Sequence, residues 1–209
     1  MHLRKSIVAG MVVAATVLLP AGAANASTVS PTPAPVTTTI HTSMVVKGYD
    51  AKVAEANGYK IVTNADGTQQ SVPVTSAAIA QQAKSDQLRA AAQATTQIAA
   101  SSAGGVVCGD SWVSGAKLAN NTVAFHTGFL VYSAASYHVW TVYAVGTITA
   151  NSWATSGSGP YSGTQSWEGG ISTVIGPGVG GVPFLSPAAS VVLENGSICF
   201  SVGPTFTFG

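Results

Sequence analysis

The sequence predicts a mainly β protein: a C-terminal β-sandwich or open β-barrel closed by one disulfide, preceded by a small helix-hairpin segment and a long Ala-rich helix. Three observations in residues 104–209 predict the β domain. β-branched and aromatic residues recur there in short runs between clusters of Gly, Ser, Asn and Pro, the pattern of strands joined by turns. Charge is confined to Asp110, Lys117, Glu168 and Glu194, so the stretch is apolar and long enough to bury a core of its own. The chain's only cysteines, Cys108 and Cys199, fall near the first and last of these runs, where a bridge would tie the ends of the domain together.

The opening "MHLRKSIVAGMVVAATVLLPAGAANAS" joins a basic start (Arg4, Lys5), an apolar run over residues 7–19 and small residues at Ala24 and Ala26. That is the three-part pattern of a secretory signal peptide over residues 1–26, cleaved before Ser27. A membrane anchor fits less well, because the run falls short of the roughly 20 residues that span a bilayer and Pro20 interrupts it. Export implies a secreted, extracellular or envelope-associated protein in a compartment where Cys108 and Cys199 can pair. Two buried free thiols are the other arrangement. In the chain-entropy model a bridge between residues 91 positions apart is worth about 4 to 5 kcal/mol. Loss of Arg4 and Lys5 leaves six basic side chains against seven acidic ones, a formal charge of −1. No basic footprint for nucleic acid remains.

Residues 27–47 begin "STVSPTPAPVTTTIHT" and read as a Pro/Thr-rich extended linker. In residues 48–74, Asp50 can cap a short helix and Gly58 can end it, after which "YKIVT" and "QQSVPV" flank the turn "NADG". A short helix plus hairpin follows from these signals. Residues 75–103 are Ala- and Gln-rich with Thr75 or Ser76 as cap and Gly104 as stop, which predicts a long helix. Its large apolar residues are Ile79, Leu88 and Ile98. At about 100° per residue, Ile79 and Leu88 point to opposite sides, so the helix is expected to be a weakly docked spacer or exposed arm.

Within residues 104–209, "NTVAFHTGFLVY" and "ASYHVWTVYAVGTITA" read as long central strands. "ASVVLENGSICFSV" reads as a hairpin whose two-residue turn Asn195–Gly196 pairs Leu193 with Ile198 and Val192 with Cys199. "SWATSGSGPYSGTQSWEGG" reads as a hairpin centred on Pro160, with Trp153 facing Trp167 and Tyr161 at the tip. Trp153, Tyr161 and Trp167 are therefore the candidate binding residues, an aromatic platform for a sugar or a protein partner. The alternative is that the hairpin folds over the domain edge and buries both indoles.

The segments "GYDAKVAEANGYKIVTNADGTQQSVPV", "CGDSW", "HTGFLV", "YHVWTV" and "NGSICFSVGPT" together resemble a group of uncharacterised secreted actinobacterial proteins. The resemblance covers most of the chain after the leader. It implies export and a C-terminal β domain, and it carries over no activity and no functional residue.

Hydrolysis needs an activated nucleophile, a base and an orienting partner. His126 and His138 are the candidate bases and Asp110, Glu168 and Glu194 the candidate acids, His41 lying in the linker, and no G-x-S-x-G elbow occurs. His138 shares a strand face with Trp140, Val142 and Ala144 and reads as a half-buried strand histidine. His126 and His138 as cross-strand neighbours could hold zinc, but two ligands fall short of a site. Glu168 and Glu194 could form a glycosidase pair, although Glu194 stands directly before a turn. "GPGVGG" at residues 176–181 matches G-x-G-x-x-G, yet Pro183 and Pro187 follow where a helix is required, so it reads as a loop joining strands.

No catalytic residue, metal or cofactor is assigned from these patterns. The expected function is a secreted, non-enzymatic binding or cell-envelope-associated module, with cell-wall polysaccharide or an extracellular protein as partner. The alternatives are a self-assembling extracellular structural protein, since uncharged Gly-rich strands also self-associate, and a small secreted hydrolase.

Overall fold

The computed structural model describes residues 38–95 and 105–209. The proposed leader, most of the Pro/Thr-rich stretch and the end of the Ala-rich segment lie outside the described residues. In chain order the elements are β1 (Ile40–Tyr49), α1 (Ala51–Ala56), β2 (Tyr59–Thr63), β3 (Gln69–Pro73), α2 (Ser76–Thr95), β4 (Val107–Lys117), β5 (Val123–Gly146), β6 (Ala150–Ile171), β7 (Gly178–Gly181), β8 (Ser190–Leu193), β9 (Ser197–Ser201) and β10 (Thr205–Phe208).

Five of these strands close into a barrel in the order β5, β4, β1, β9, β8 and back to β5. Closure depends on the 24-residue length of β5. Its first arm pairs with β4, Val123–Val131 against Gly109–Lys117. After an irregularity between Val131 and Tyr137, the second arm takes β8 as partner, with Ala135 opposite Leu193 and Val139 opposite Ser190. Irregularities of this kind bend a strand and increase its twist, which lets one strand serve both ends of the barrel wall. The fold is thus a closed barrel rather than a sandwich or an open barrel, and the two predicted central strands are one.

β1 corrects the linker boundary. Residues 40–47 were expected to belong to an extended linker, but "IHTSMVVKGY" forms a barrel strand between β4 and β9. Its β-branched residues and the burial of Met44 and Val45 outweigh the Pro-rich stretch before it. The helices and the β2–β3 hairpin consequently do not precede the β fold; they are inserted between two of its strands. Asp50 accepts backbone N–H bonds from Lys52 and Val53 at the start of α1, and Tyr59 donates from its hydroxyl to the Ala78 carbonyl of α2 at 3.1 Å. Ala78 and Ser85 of α2 are buried although Ile79 and Leu88 are exposed. The helix is therefore docked through small and polar residues, which an apolar periodicity search does not register.

Two further expectations fail, one on register and one on element type. The β8–β9 hairpin pairs Val192 with Ile198 and Val191 with Cys199, one position off the expected pairing. Gly196 donates to the Leu193 carbonyl and stands at φ 81°, so the loop is a three-residue turn ending in a left-handed glycine. The "GPGVGG" run is no loop: Gly178–Gly181 is β7, paired with Tyr143–Gly146 and with β10.

The core is continuous through the barrel and includes Met44, Val113, Phe129, Val131, Trp140, Val142 and Val191. Cys108 on β4 and Cys199 on β9 are joined, with Cα atoms 6.2 Å apart and β1 between their strands in the sheet order. Both sulfurs belong to this core.

Candidate functional site

β6 pairs with β5 along nearly its full length, from Ile171 opposite Val123 to Ala150 opposite Val145. It is one 22-residue strand, so the expected hairpin centred on Pro160 does not form. Pro160 sits inside the strand after a cis peptide bond, and Trp153 pairs with Val142 while Trp167 pairs with Thr127. The expected turn rested on Pro160, which here lies within a strand that bends with its partner.

The strand alternates between half-buried and exposed positions on either side of an exposed break at Ser158, Gly159 and Pro160. Trp153, Tyr161, Gln165 and Trp167 are half-buried, and Ser152, Ser156, Ser162, Thr164 and Ser166 between them are exposed. The structure does bring the predicted aromatics together, by bending the ribbon. Trp153 and Trp167 lie 6.3 Å apart by ring centroid, Trp153 touches Phe125 at 5.1 Å, and Trp167 touches Phe129 at 5.7 Å. All three candidate aromatics pack against the core cluster, as the burial alternative expected, yet none is fully closed off.

His138 belongs to the same layer. It is 4% exposed, and its ring lies 5.0 Å from Trp167, 5.3 Å from Tyr161 and 5.7 Å from Phe129. Neither ring nitrogen has a hydrogen-bond partner among the described residues. Burial pushes its pKa below 6.5, because a cation is poorly solvated among aromatic rings. Gly157, opposite His138 in the ladder, provides the room: a side chain there would strike the Tyr161 hydroxyl and the imidazole.

His126 lies on the same strand but in different surroundings. Ser114, His126 and Glu168 stand in cross-strand register on β4, β5 and β6 and line an open cleft of about 300 Å³. The indole of Trp112 lies 6.5 Å away. The cross-strand His126–His138 arrangement weighed for zinc does not form, since the two are residues of one strand and His138 is enclosed by the aromatic layer. Glu168 and Glu194 are likewise separated in role: Glu168 faces His126, and Glu194 accepts a hydrogen bond from Gln81 of α2.

Sequence reasoning missed the pair formed by His41 Nδ1 and Asp110 Oδ2 at 2.6 Å. Placing His41 in a linker hid it; the alternation of "IHTSMVV" was the available signal. Burial raises the Asp110 carboxyl above its ordinary value, and the His41 hydrogen bond opposes that shift. Also missed were two cavities beneath α2 that share Tyr132 and Ser133. No protein-family description, curated protein or solved structure matches this chain.

Proposed function

We propose that the protein is a secreted, non-enzymatic binding or cell-envelope-associated module whose partner is a cell-wall polysaccharide or an extracellular protein. One observation carries this reading: β6 presents Trp153, Tyr161 and Trp167 half-buried on one face, and a row of exposed serine and threonine hydroxyls on the other. Aromatic rings with accessible edges and neighbouring hydroxyls suit the apolar faces and hydroxyl groups of sugars. The leader pattern and the Cys108–Cys199 bridge support an oxidising, extracellular setting.

Retention of the full chain on insoluble cell-wall polysaccharide, followed by tryptophan fluorescence titration with soluble fragments, tests the reading. Binding that Tyr161→Ala weakens while leaving the melting curve close to wild type supports it. Absence of retention on cell-wall fractions and on immobilised culture proteins removes it.

Self-assembly is favoured by a separate observation. Among the described residues β6 pairs only with β5, leaving a long edge on which Glu168 is the sole charged residue. Native proteins usually guard such edges with several charges. Concentration-dependent growth of the sedimentation coefficient would support that reading.

A further inference from the structure

α2 is docked by its polar side. Ala78, Gln81, Gln82, Ser85 and Arg89 turn inward at helical spacing, while Ile79 is 56% and Leu88 46% exposed. A helix held by apolar packing alone shows the reverse arrangement. Beneath that polar face lie two cavities of about 240 and 110 Å³ that share Tyr132 and Ser133 in their walls.

Among the described residues, Arg89 is the only charged residue lining the larger cavity and Lys84 the only one lining the smaller, and the described walls contain no carboxylate; Asp86, outside the walls, accepts from both Gln82 and Arg89. Ser133 is 7% exposed, and its Oγ has no hydrogen-bond partner among the described residues. Arg89 donates from Nη1 to Asp86 at 3.3 Å, yet its Nε is buried without a partner among the described residues. An unsatisfied buried donor costs free energy that a ligand oxygen would recover, and the Nε edge of a guanidinium matches a carboxylate. Tyr49 and Tyr132 border the larger space, and burial raises both phenols, so they remain hydrogen-bond donors at neutral pH. Gln70, Gln82 and Asn195 add groups that both donate and accept, as hydroxyls require.

We propose that the space roofed by α2 is a binding site for a small hydroxylated carboxylate the size of one acidic sugar unit, with Arg89 holding the carboxylate and Ser133 a neighbouring oxygen. The larger cavity falls below the volume of sites for drug-sized ligands, which restricts the occupant to a single small unit. This site is separate from the aromatic layer on β6 and stands whether or not that layer binds a partner.

Calorimetric titration of the full chain with glucuronate, glucose and acetate tests the proposal, alongside Arg89→Gln, Arg89→Lys and Ser133→Ala. Arg89 has a side chain 33% exposed, so its replacement does not open the core, and the melting temperature of each unliganded variant checks the fold. Glucuronate is expected to saturate one site, with glucose and acetate each weaker. R89Q should weaken glucuronate by about tenfold to a hundredfold. R89K, which keeps the charge and loses the guanidinium edge, should fall between, and S133A should weaken it less than R89Q. The proposal is overturned by an absence of saturable glucuronate binding, by binding that R89Q leaves unchanged, or by acetate binding as tightly as glucuronate.

Discussion

Trp153 and Trp167 stand fourteen positions apart on one β-strand, and their rings meet at 6.3 Å. Fourteen residues of straight strand would separate them by about 46 Å, so the contact measures how far the β5–β6 ribbon bends. Trp140 lies in the crook, 6.3 Å from Trp167 and 5.1 Å from Phe129, with its indole N–H donating to Thr127 Oγ1 at 3.1 Å. Because the two half-buried rings touch each other, their truncations should not be additive. Trp167→Ala should cost about 3 kcal/mol, the low end for an aromatic truncated from a core. A double-mutant cycle with Trp153→Ala, read by denaturant unfolding, should show a coupling of about 0.5 to 1.5 kcal/mol. Strict additivity would mean that the ribbon is not bent in solution.

The disulfide makes a second prediction. Cys108 and Cys199 close a loop of 91 residues, which contains every strand from β5 to β8 and most of the barrel wall. Replacing both with alanine, or reducing the bridge, should lower the unfolding free energy by about 4 to 5 kcal/mol. Urea denaturation with and without reductant measures it. An unchanged midpoint would show that the barrel's closure through β5 and β8 constrains the chain without the bridge.

How much of this could be read beforehand divides along local and non-local lines. The face of β5 that carries His138, Trp140, Val142 and Ala144 inward was legible, because alternation is a two-residue property. The union of the two predicted central strands into β5 was not, because nothing local says that "YSAAS" bends rather than turns. The same limit produced the Pro160 hairpin: Gly, Ser and Pro are turn residues wherever a strand stops, and here β5 supplies partners that carry β6 through them. His41 and Asp110 meet only because β1 crosses back beside β4, a pairing between residues 69 positions apart. The aromatic trio was found for a partly wrong reason, since the residues converge through curvature instead of across a turn.

Phe206 tests the glycines of β7 and β4. A side chain at either Gly115 or Gly180 would strike its ring, so the phenyl group, 7% exposed, lies between two strands that cannot bear a Cβ there. Gly180 also pairs with both Ala144 and Phe206 in the ladder. Gly180→Ala should therefore displace the ring and destabilise the fold by about 1 to 3 kcal/mol, the usual cost of overpacking, despite alanine's better intrinsic preference for regular structure. Thermal unfolding of that variant beside Gly67→Ala, where no atom lies within 4 Å of the added carbon, separates ring displacement from backbone strain. Gly67 has φ 83°, so its variant reports strain alone, and G180A should lose stability together with a change in near-ultraviolet circular dichroism that G67A lacks.

His138 makes the barrel sensitive to acid. Burial holds its folded pKa below the ordinary histidine value of 6.5, so as pH falls past 6.5 the unfolded chain takes up a proton that the folded chain refuses. The unfolded state then binds more protons, and stability falls with pH through the window between 6.5 and the lower folded value; above 6.5 the penalty is absent. The rings of Phe129, Tyr161 and Trp167 that surround the imidazole carry no compensating negative charge. His138→Phe keeps an aromatic ring in the layer and removes the titration. Melting temperatures measured from pH 8 to pH 5, in about half-unit steps, should fall more steeply for the wild type than for H138F. The difference between the two curves should open below pH 6.5 and remain flat above it. Parallel curves would show that solvent or a partner reaches the imidazole nitrogens, and that the aromatic layer is open where the structure closes it.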